Sequence, residues 1–492
     1  MSSIRHALAF SISERYVLIA ISLLGNILIA RLLTPEEIGL YSVSLAVIGI
    51  AQVLRDFGMG SYLIQEKDLR DEHIRTVFGF SLLIGSTLFL VVFFSAPILS
   101  EFYDEARMVE ILQISSLNFF VLPFCTISLS LLRRSLIFNR LAVVAVSAAI
   151  VGFMVTVGLA WNGFGAKSMA IGAVVTNIVT GAGAWFARED RRLLMPGFSE
   201  WRSVLHFGSR TSAAAVITTI SMDINDLVVG RILGMGSVAM ISRAQGLMYL
   251  FHRDLMGAIR NVAFPAFARC YRDGQDLEAQ HIRSVSYITV FAWPFYAFVS
   301  LYSLELIRFL FGNQWDEAAQ LVPWFCLAGA ASATSNLVSP LLIARGRIDL
   351  ATRFDLTIQP ISALFRAATV FFFLTMQSFA IATAIIYTIT IPFLYYLKNI
   401  CQVTDIAKMV EALRSSLFVT LLSIFPPFVV NILYKPEAAS DEALGMFLSA
   451  LLFALSWIFS IYFVKHPLYG EEIYKRIIAK FTISSIFATK KD

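Results

Sequence analysis

The feature that most constrains this chain is a long, mostly apolar run with few charges that recurs along nearly its whole length. A helix needs about 20 such residues to cross the hydrocarbon core of a bilayer. The first run covers residues 14 to 31, the last covers 444 to 464, and fourteen can be drawn in all. Only 15% of the residues are charged, whereas soluble domains average about 25%. The sequence therefore predicts an all-α polytopic membrane protein with about 14 transmembrane helices.

The distribution of Lys and Arg predicts how these helices cross the membrane. An even number of spans places both termini on one side. On that side the connecting segments hold 27 Lys and Arg residues, whereas the opposite ends of the spans hold six. Because cytoplasmic segments carry the excess of Lys and Arg, we expect both termini to be cytoplasmic. The net charge of +5 then reflects topology and not nucleic-acid binding.

The segments outside the predicted spans disfavour several functional classes. The longest is the tail from Lys465 to Asp492, which is too short for a catalytic domain. The run at 163 to 168 lacks a glycine that a Walker phosphate loop requires. The histidines show no metal-ligand spacing, which predicts interfacial or solvated side chains for His6, His73, His206, His252, His281 and His466. We therefore expect no enzyme activity, no metal, no other cofactor and no nucleic-acid partner.

A weak internal repeat relates the first helical pair to the seventh and eighth helices. The segment at 30 to 34 aligns with 230 to 234, and the pair Arg55-Asp56 aligns with Arg253-Asp254 two residues out of register. Chance is the alternative explanation for matches this short. A true repeat would give two six-helix lobes related by a pseudo-two-fold axis, and such transporters bind substrate between the lobes. We predict lobes at 1–190 and 191–400, followed by two added helices and a tail at 401–492.

Ionisable residues deep inside spans are concentrated in the second, seventh, eighth and eleventh. A charge at the bilayer centre costs at least about 2.5 to 3.5 kcal/mol on insertion scales, so such residues usually face protein or a water-filled cavity. Arg210, Arg243 and Arg260 lie near span ends, where we expect them to snorkel to the interface. The deeper set comprises Arg55, Asp56, Asp223, Asp226, Arg253, Asp254 and Arg366.

Two interpretations of the deeper charges stay open. They could neutralise one another as internal ion pairs that fix helix packing. Alternatively, they could line a hydrated cavity, since guanidinium groups bind phosphate oxygens bidentately. In that case the candidate substrate-binding residues are Arg55, Arg253 and Arg366. The candidate residues for charge balance or ion coupling are Asp56, Asp223, Asp226 and Asp254, of which Asp223 and Asp226 share a helical face.

Several segments resemble a known family. Ala-Arg-Leu-Leu-Thr-Pro-Glu-Glu-Ile-Gly-Leu-Tyr at 30 to 41 and Asp-Phe-Gly-Met-Gly-Ser-Tyr-Leu-Ile-Gln at 56 to 65 resemble the N-terminal signature of Wzx-like polysaccharide flippases. These flippases form a branch of the multidrug, oligosaccharidyl-lipid and polysaccharide exporter superfamily. The segments at 226 to 234, 263 to 267 and 344 to 347 also look like this family. Within this family, the sequence most resembles the exopolysaccharide subgroup, which includes colanic-acid and succinoglycan-type exporters.

The resemblance implies a flippase of the bacterial inner membrane. Such a protein turns an undecaprenyl-diphosphate-linked oligosaccharide repeat unit to the periplasmic leaflet by alternating access, for exopolysaccharide or lipopolysaccharide biosynthesis. Membrane lipids, a polymerase and a co-polymerase are the implied partners. The alternatives are an ion-coupled drug or metabolite exporter of the same superfamily and, third, a polymerase or ligase of the same pathway.

Overall fold

A computed structural model of the chain is helical throughout its regular elements. It describes residues 2–56, 58–190, 195–433 and 439–472, and within these ranges it leaves out the side chains at 2–13, 207–218, 253–254 and 439–443. No strand occurs among the described residues. The predicted all-α class is therefore confirmed.

The helices follow one another with short connections, and a π-helical turn at Leu250–Leu255 joins α9 to α10. Their bounds are α1 Ser2–Leu32, α2 Pro35–Asp56, α3 Met59–Gln65, α4 Asp71–Tyr103, α5 Met108–Arg134, α6 Phe138–Trp161, α7 Lys167–Ala187, α8 Trp201–Leu233, α9 Met235–Tyr249, α10 Met256–Arg272, α11 Leu277–Leu301, α12 Ser303–Phe311, α13 Asp316–Ala319, α14 Val322–Ser335, α15 Val338–Ala344, α16 Ile348–Phe373, α17 Met376–Asn399, α18 Ile406–Leu433 and α19 Ala439–Val464.

Within the described ranges, 12 helical segments are long and apolar enough to cross a membrane. The seventh and eighth predicted spans correspond to α8 and to the run from α9 through α10, which are long helices but not among those 12. These two segments carry most of the deep charges that the sequence pointed to. The multi-pass architecture is thus confirmed, with 14 helices as an approximate count.

The start of α2 gives a structural reason for the Thr-Pro-Glu-Glu sequence in the first segment that resembles the family. The backbone N–H of Thr34 donates to Glu37 Oε2 at 2.9 Å, and the N–H of Glu37 donates to Thr34 Oγ1 at 3.3 Å. This reciprocal capping box satisfies two backbone donors that a helix start leaves open. Pro35 occupies the first helical position, where its missing N–H costs nothing. The Thr-Pro-Glu-Glu segment is therefore a helix start signal.

The chain packs as two compact units. Unit 1 comprises Met1–Met240 with Val370–Leu374, and unit 2 comprises Ile241–Thr369 with Thr375–Asp492. By this division α8 packs with the helices that precede it. The lobe boundaries at 190 and 400 stay predictions.

Candidate functional site

The first candidate region lies in unit 1, where the second span is interrupted. Helix α2 ends at Asp56, and α3 begins at Met59 after Gly58, whose φ of 64° is left-handed. Glycine adopts this conformation without the steric cost that a Cβ brings. Transporter helices are commonly broken where they bind substrate or ions. The interruption therefore marks the end of α2 as a candidate site.

Helix α3 is held in place on both sides of its short length. Its buried Met59 and Leu63 pack with Phe78 of α4 and Ile127 of α5. The guanidinium of Arg134 donates to the carbonyl oxygens of Leu63 at 2.9 Å and Ile64 at 3.2 Å, which satisfies acceptors at the helix end. Apolar packing and one arginine thus fix the chain after the break.

Arg55, the second-last residue of α2, is buried at 8% exposure. Its Nη2 pairs with the carboxylate of Asp56, whose side chain is 62% exposed. Among the described residues, Nε and Nη1 of Arg55 are buried without a hydrogen-bond partner. A buried donor without a partner carries a desolvation penalty of about 1–3 kcal/mol. Arg55 therefore has N–H groups that could donate hydrogen bonds to the oxygens of a phosphate.

The predicted acidic pair of the seventh span lies on α8, and both carboxylates are half-buried. A Cβ added at Gly49 of α2 would lie 2.6 Å from Asp223 Oδ2, so this carboxylate rests against the α2 backbone. No ion pair joins Arg55 to Asp223 among the described side chains. Asp223 therefore contacts the backbone of α2 at Gly49, but it forms no ion pair with Arg55 among the described side chains.

Asn225 lies between these two acids, and reasoning from the sequence missed it. It is 5% exposed, and its Nδ2 donates to the carbonyl oxygens of Ser221 and Met222. Its Oδ1 is buried without a hydrogen-bond partner among the described residues. Asn225 carries no charge, so a criterion of ionisable residues deep inside spans does not select it. Its position between two deep acids is the signal that could have found it.

The second candidate region lies in unit 2. The half-buried guanidinium of Arg366 lies 5.9 Å from the ring centroid of Phe379, within cation–π range. Near it, Tyr387 meets the ring of His252 edge-on at 6.2 Å, and His252 Nδ1 lies 3.3 Å from Ser332 Oγ. Arg366 is therefore placed among aromatic and hydroxyl groups.

The repeat-related pair Arg253-Asp254 lies on the π-helical turn. Its side chains lie outside the described residues. A π-helical turn is rare and occurs often at functional sites. Both Arg-Asp pairs that the sequence aligned therefore stand at irregular backbone, one at a helix break and one on a π-helical turn.

Two arginines that we expected to snorkel are held by partners inside unit 2. Arg260 donates from Nη1 to Asn336 Oδ1 at 2.9 Å. Arg243 packs over the rings of Phe311 and Trp315, with both centroids 5.2 Å away. Polar and aromatic partners thus compensate both guanidinium groups for lost water, and their snorkelling stays a prediction. Arg210 lies outside the described side chains.

The prediction of interfacial or solvated histidines is wrong for three of them. His73, His281 and His466 are buried at 6%, 0% and 1% exposure. Of these, His466 Nε2 lies 2.9 Å from Ser286 Oγ, which shows how hydroxyls compensate for burial. Burial lowers the pKa of His466, which lies beyond the end of α19, to about 4. Among the described residues, no three His, Cys, Asp or Glu side chains form a group that could hold a metal ion.

Comparisons with known proteins identify the family and the fold. The profile of a family described as polysaccharide biosynthesis protein matches residues 28–320. The lipopolysaccharide biosynthesis protein WzxC of Escherichia coli strain K12 is 25% identical over 343 residues, 69% of each chain. The succinoglycan biosynthesis transport protein ExoT of Rhizobium meliloti strain 1021 is 23% identical over 320 residues, 65% of each chain.

One solved structure shows the fold. The lipid II flippase MurJ, in its inward closed conformation, matches with a TM-score of 0.74 at 15% identity, covering 93% of this chain and 99% of that chain. At this identity the likeness concerns the fold alone. The family profile, however, spans more than half of the sequence. The chain therefore belongs to the polysaccharide biosynthesis protein family and has a MurJ-like, all-helical membrane fold.

Proposed function

We propose that this protein is a flippase for a lipid-linked oligosaccharide. It turns an undecaprenyl-diphosphate-linked repeat unit from the cytoplasmic to the periplasmic leaflet of the inner membrane by alternating access. The observation that carries the proposal is a MurJ-like fold over 93% of a chain from a polysaccharide biosynthesis family. The product would serve exopolysaccharide or lipopolysaccharide biosynthesis, with a polymerase and a co-polymerase as partners.

The chemistry of the cargo fits the deep charges. A diphosphate that carries several sugars cannot cross about 30 Å of hydrocarbon unaided, because each polar group would lose its hydrogen bonds to water. In the proposed cycle Arg55, Arg253 and Arg366 bind the diphosphate or acidic sugars. The buried Nε and Nη1 of Arg55, which have no partner among the described residues, support this role. Asp56, Asp223, Asp226 and Asp254 would balance charge or couple transport to an ion.

An ion-coupled drug or metabolite exporter is the second candidate. The aromatic ring beside Arg366 is compatible with it. A site for a cationic drug, however, would place carboxylates and aromatic faces where Arg55 presents unused donors. The positive-inside bias favours cytoplasmic termini for either transporter.

The test uses a strain that lacks the gene. Secreted polymer is quantified, and an impermeant label applied to spheroplasts reports which leaflet holds the lipid-linked repeat unit. Repeat units confined to the cytoplasmic leaflet, with polymer lost, are the expected result. Unpolymerised repeat units on the periplasmic leaflet would assign the polymerase step instead, and normal polymer with altered drug tolerance would favour the exporter.

Variants then test the arginines. We expect Arg55→Gln to reduce export at least about a hundredfold at unchanged protein abundance, since two charge-assisted hydrogen bonds are worth about 3 kcal/mol or more. The double change Arg253→Gln with Arg366→Gln should do the same. The matched control is Arg269→Gln, because the Arg269 side chain is 80% exposed and pairs with Asp273, four residues further along the chain. If the Arg55→Gln variant exports polymer at the full level, Arg55 does not bind the substrate.

A further inference from the structure

A cleft of about 330 Å³ opens in unit 2 where three spanning helices end at one membrane face. Helices α11 and α18 begin there, at Leu277 and Ile406, and α19 ends there at Val464. We call this the α11–α18 cleft. It lies outside the two candidate regions described above, and the proposed flippase activity makes no use of it.

The wall of the cleft beyond α19 is a rigid turn. Lys465 has a left-handed φ of 54°, and its N–H donates to the carbonyl oxygen of Tyr462 at 3.2 Å. The following His466 is buried, with Nε2 2.9 Å from Ser286 Oγ and 3.2 Å from Ser416 Oγ. Its Nδ1 accepts from the N–H of Leu468 at 3.2 Å. These bonds tie the turn to α11 and α18, so Lys465 is presented at a fixed place.

The cleft holds charges of both signs. Arg283, Lys408 and Lys465 line it together with a single carboxylate, Glu411. Arg283 pairs with Glu471 outside the lining set, and Lys408 pairs with Asp405 at 3.1 Å. Lys465 and Glu411 have no ion-pair partner among the described residues, and both are exposed. One ammonium and one carboxylate therefore remain available within the same cleft.

Groups of this kind at the end of three membrane spans match a specific ligand chemistry. Basic pockets between helices at the cytoplasmic side of a membrane bind phosphate-bearing lipid headgroups. A carboxylate beside them adds an acceptor for a primary ammonium, which donates three hydrogen bonds, whereas a trimethylammonium donates none. Exposed Val410 and Leu417 of α18 continue the cleft along the helix toward the hydrocarbon.

We propose that the α11–α18 cleft binds the phosphoethanolamine headgroup of a membrane glycerophospholipid. The phosphate lies against the ammonium of Lys465, and the ammonium of the headgroup donates to Glu411. The acyl chains run along the apolar face of α18. Bound lipid would thereby link α11, α18 and the turn after α19.

The experiment is a lipid titration of the purified full chain in detergent, followed by native mass spectrometry. The probes are phosphatidylethanolamine, phosphatidylcholine and phosphatidylglycerol with identical acyl chains, and free glycerophosphoethanolamine as competitor. The variants are Glu411→Gln and Lys465→Asn, since asparagine tolerates the left-handed conformation. The control Lys67→Asn removes a cation from the other unit.

We expect phosphatidylethanolamine to bind about tenfold more tightly than the other two lipids, as one charge-assisted hydrogen bond predicts. Glu411→Gln should abolish that preference. Lys465→Asn should weaken the binding of all three lipids about tenfold, and Lys67→Asn should leave the binding of all three unchanged. Equal binding of phosphatidylethanolamine and phosphatidylcholine by the unaltered chain would overturn the proposal. Competition by free glycerophosphoethanolamine at equal concentration would overturn the assignment to a lipid.

Discussion

The helices within unit 1 and the helices within unit 2 are joined by a different balance of contacts. In unit 1, glycines let helices approach so closely that a Cβ at Gly85 would overlap the carbonyl oxygen of Phe119, and a Cβ at Gly152 would overlap Thr176. In unit 2, Gly246 of α9 faces open space, and a Cβ at Gly329 would overlap the ring of Tyr296. There, buried polar side chains join the helices: Lys398 to Glu278, Tyr302 to Ser449 and Trp457 to the carbonyl oxygen of Val290.

The difference shows two solutions to one physical problem. Lipid tails are as apolar as leucine, so burial of apolar surface does not drive helices together inside a membrane. Close packing over small residues and hydrogen bonds between helices are the remaining sources of association. Among the described glycines most of the close contacts lie in unit 1, whereas hydrogen bonds between helices occur in both units, as between Asn177 and Asn118 in unit 1. The two units therefore need not be stabilised by the same balance of contacts.

The largest expected effect concerns the buried ion pair of unit 2. Lys398 is 0% exposed and donates to Glu278 Oε2 at 2.5 Å and to Thr404 Oγ1 at 2.9 Å. Lys398→Met leaves a buried carboxylate without its partner, so we expect a loss of about 3–5 kcal/mol in the free energy of unfolding. Denaturant unfolding of the purified chain measures it.

The matched control is Lys408→Met, because the Lys408 ammonium pairs with Asp405 while its side chain is 68% exposed. Such a surface pair contributes about 1 kcal/mol or less. Adding Glu278→Leu to Lys398→Met should recover much of the loss, since no charge then stays buried. Equal losses for Lys398→Met and Lys408→Met would show that buried polar contacts do not stabilise unit 2.

The second prediction applies to the glycine contacts of unit 1. Gly85→Ala places a methyl group against the backbone of α5, which cannot move as a flexible side chain would. We expect a loss of about 2–3 kcal/mol from this overpacking. Gly246→Ala in α9 meets open space and should be neutral or stabilise by up to about 1 kcal/mol through helix propensity. Thermal unfolding of the two variants side by side tests the contrast, and equal midpoints would contradict it.

The third prediction is a pH dependence within unit 2. Burial lowers the pKa of His466 to about 4, below its ordinary value of 6.5. The unfolded chain therefore binds a proton at a higher pH than the folded chain, and stability falls as the pH is lowered from 6.5 towards 4. From pH 7 to pH 5 this amounts to about 2 kcal/mol. His466→Gln should remove the decrease in the free energy of unfolding that this imidazole causes between pH 7 and pH 5. If the pH dependence of the free energy of unfolding is the same in the variant, His466 does not cause it.

The smallest expected effect concerns the interruption in the second span. Gly58 has a φ of 64°, and a Cβ in this conformation costs about 1–2 kcal/mol. Gly58→Ala should therefore lower the unfolding midpoint slightly, while Gly58→Asn should lower it less, because asparagine visits the left-handed region. If Gly58→Val is as stable as the unaltered chain, α2 and α3 do not need this turn.

The order of the spans, the family and the positions of charged residues along the predicted spans could all be read from the sequence. Each depends on local signals: apolar runs long enough to span a bilayer, the helix start at Thr34–Glu37, and charges far from any span end. The partners of the charged side chains could not be predicted. Arg260 bonds to Asn336 and Lys398 to Glu278, residues 76 and 120 positions apart.

The histidines show the same limit. Spacing along the chain excluded a metal-ligand pattern, but it could not place His466 beside Ser286, which lies 180 positions earlier. A buried imidazole and a solvated one have the same local sequence signature, since hydroxyl partners from other helices make burial possible. Only packing distinguishes them.

The sequence by itself determined that this chain spans a membrane and that it belongs to its family, and it located the ionisable residues within the predicted spans. The tertiary structure decided which guanidinium keeps unused donors, which glycines allow backbones to meet, and which polar side chains hold unit 2 together. The physical reason is the range of each force. Hydropathy and helix capping act over a few neighbouring residues, whereas hydrogen bonds and steric overlap depend on atoms that the chain brings together from distant positions.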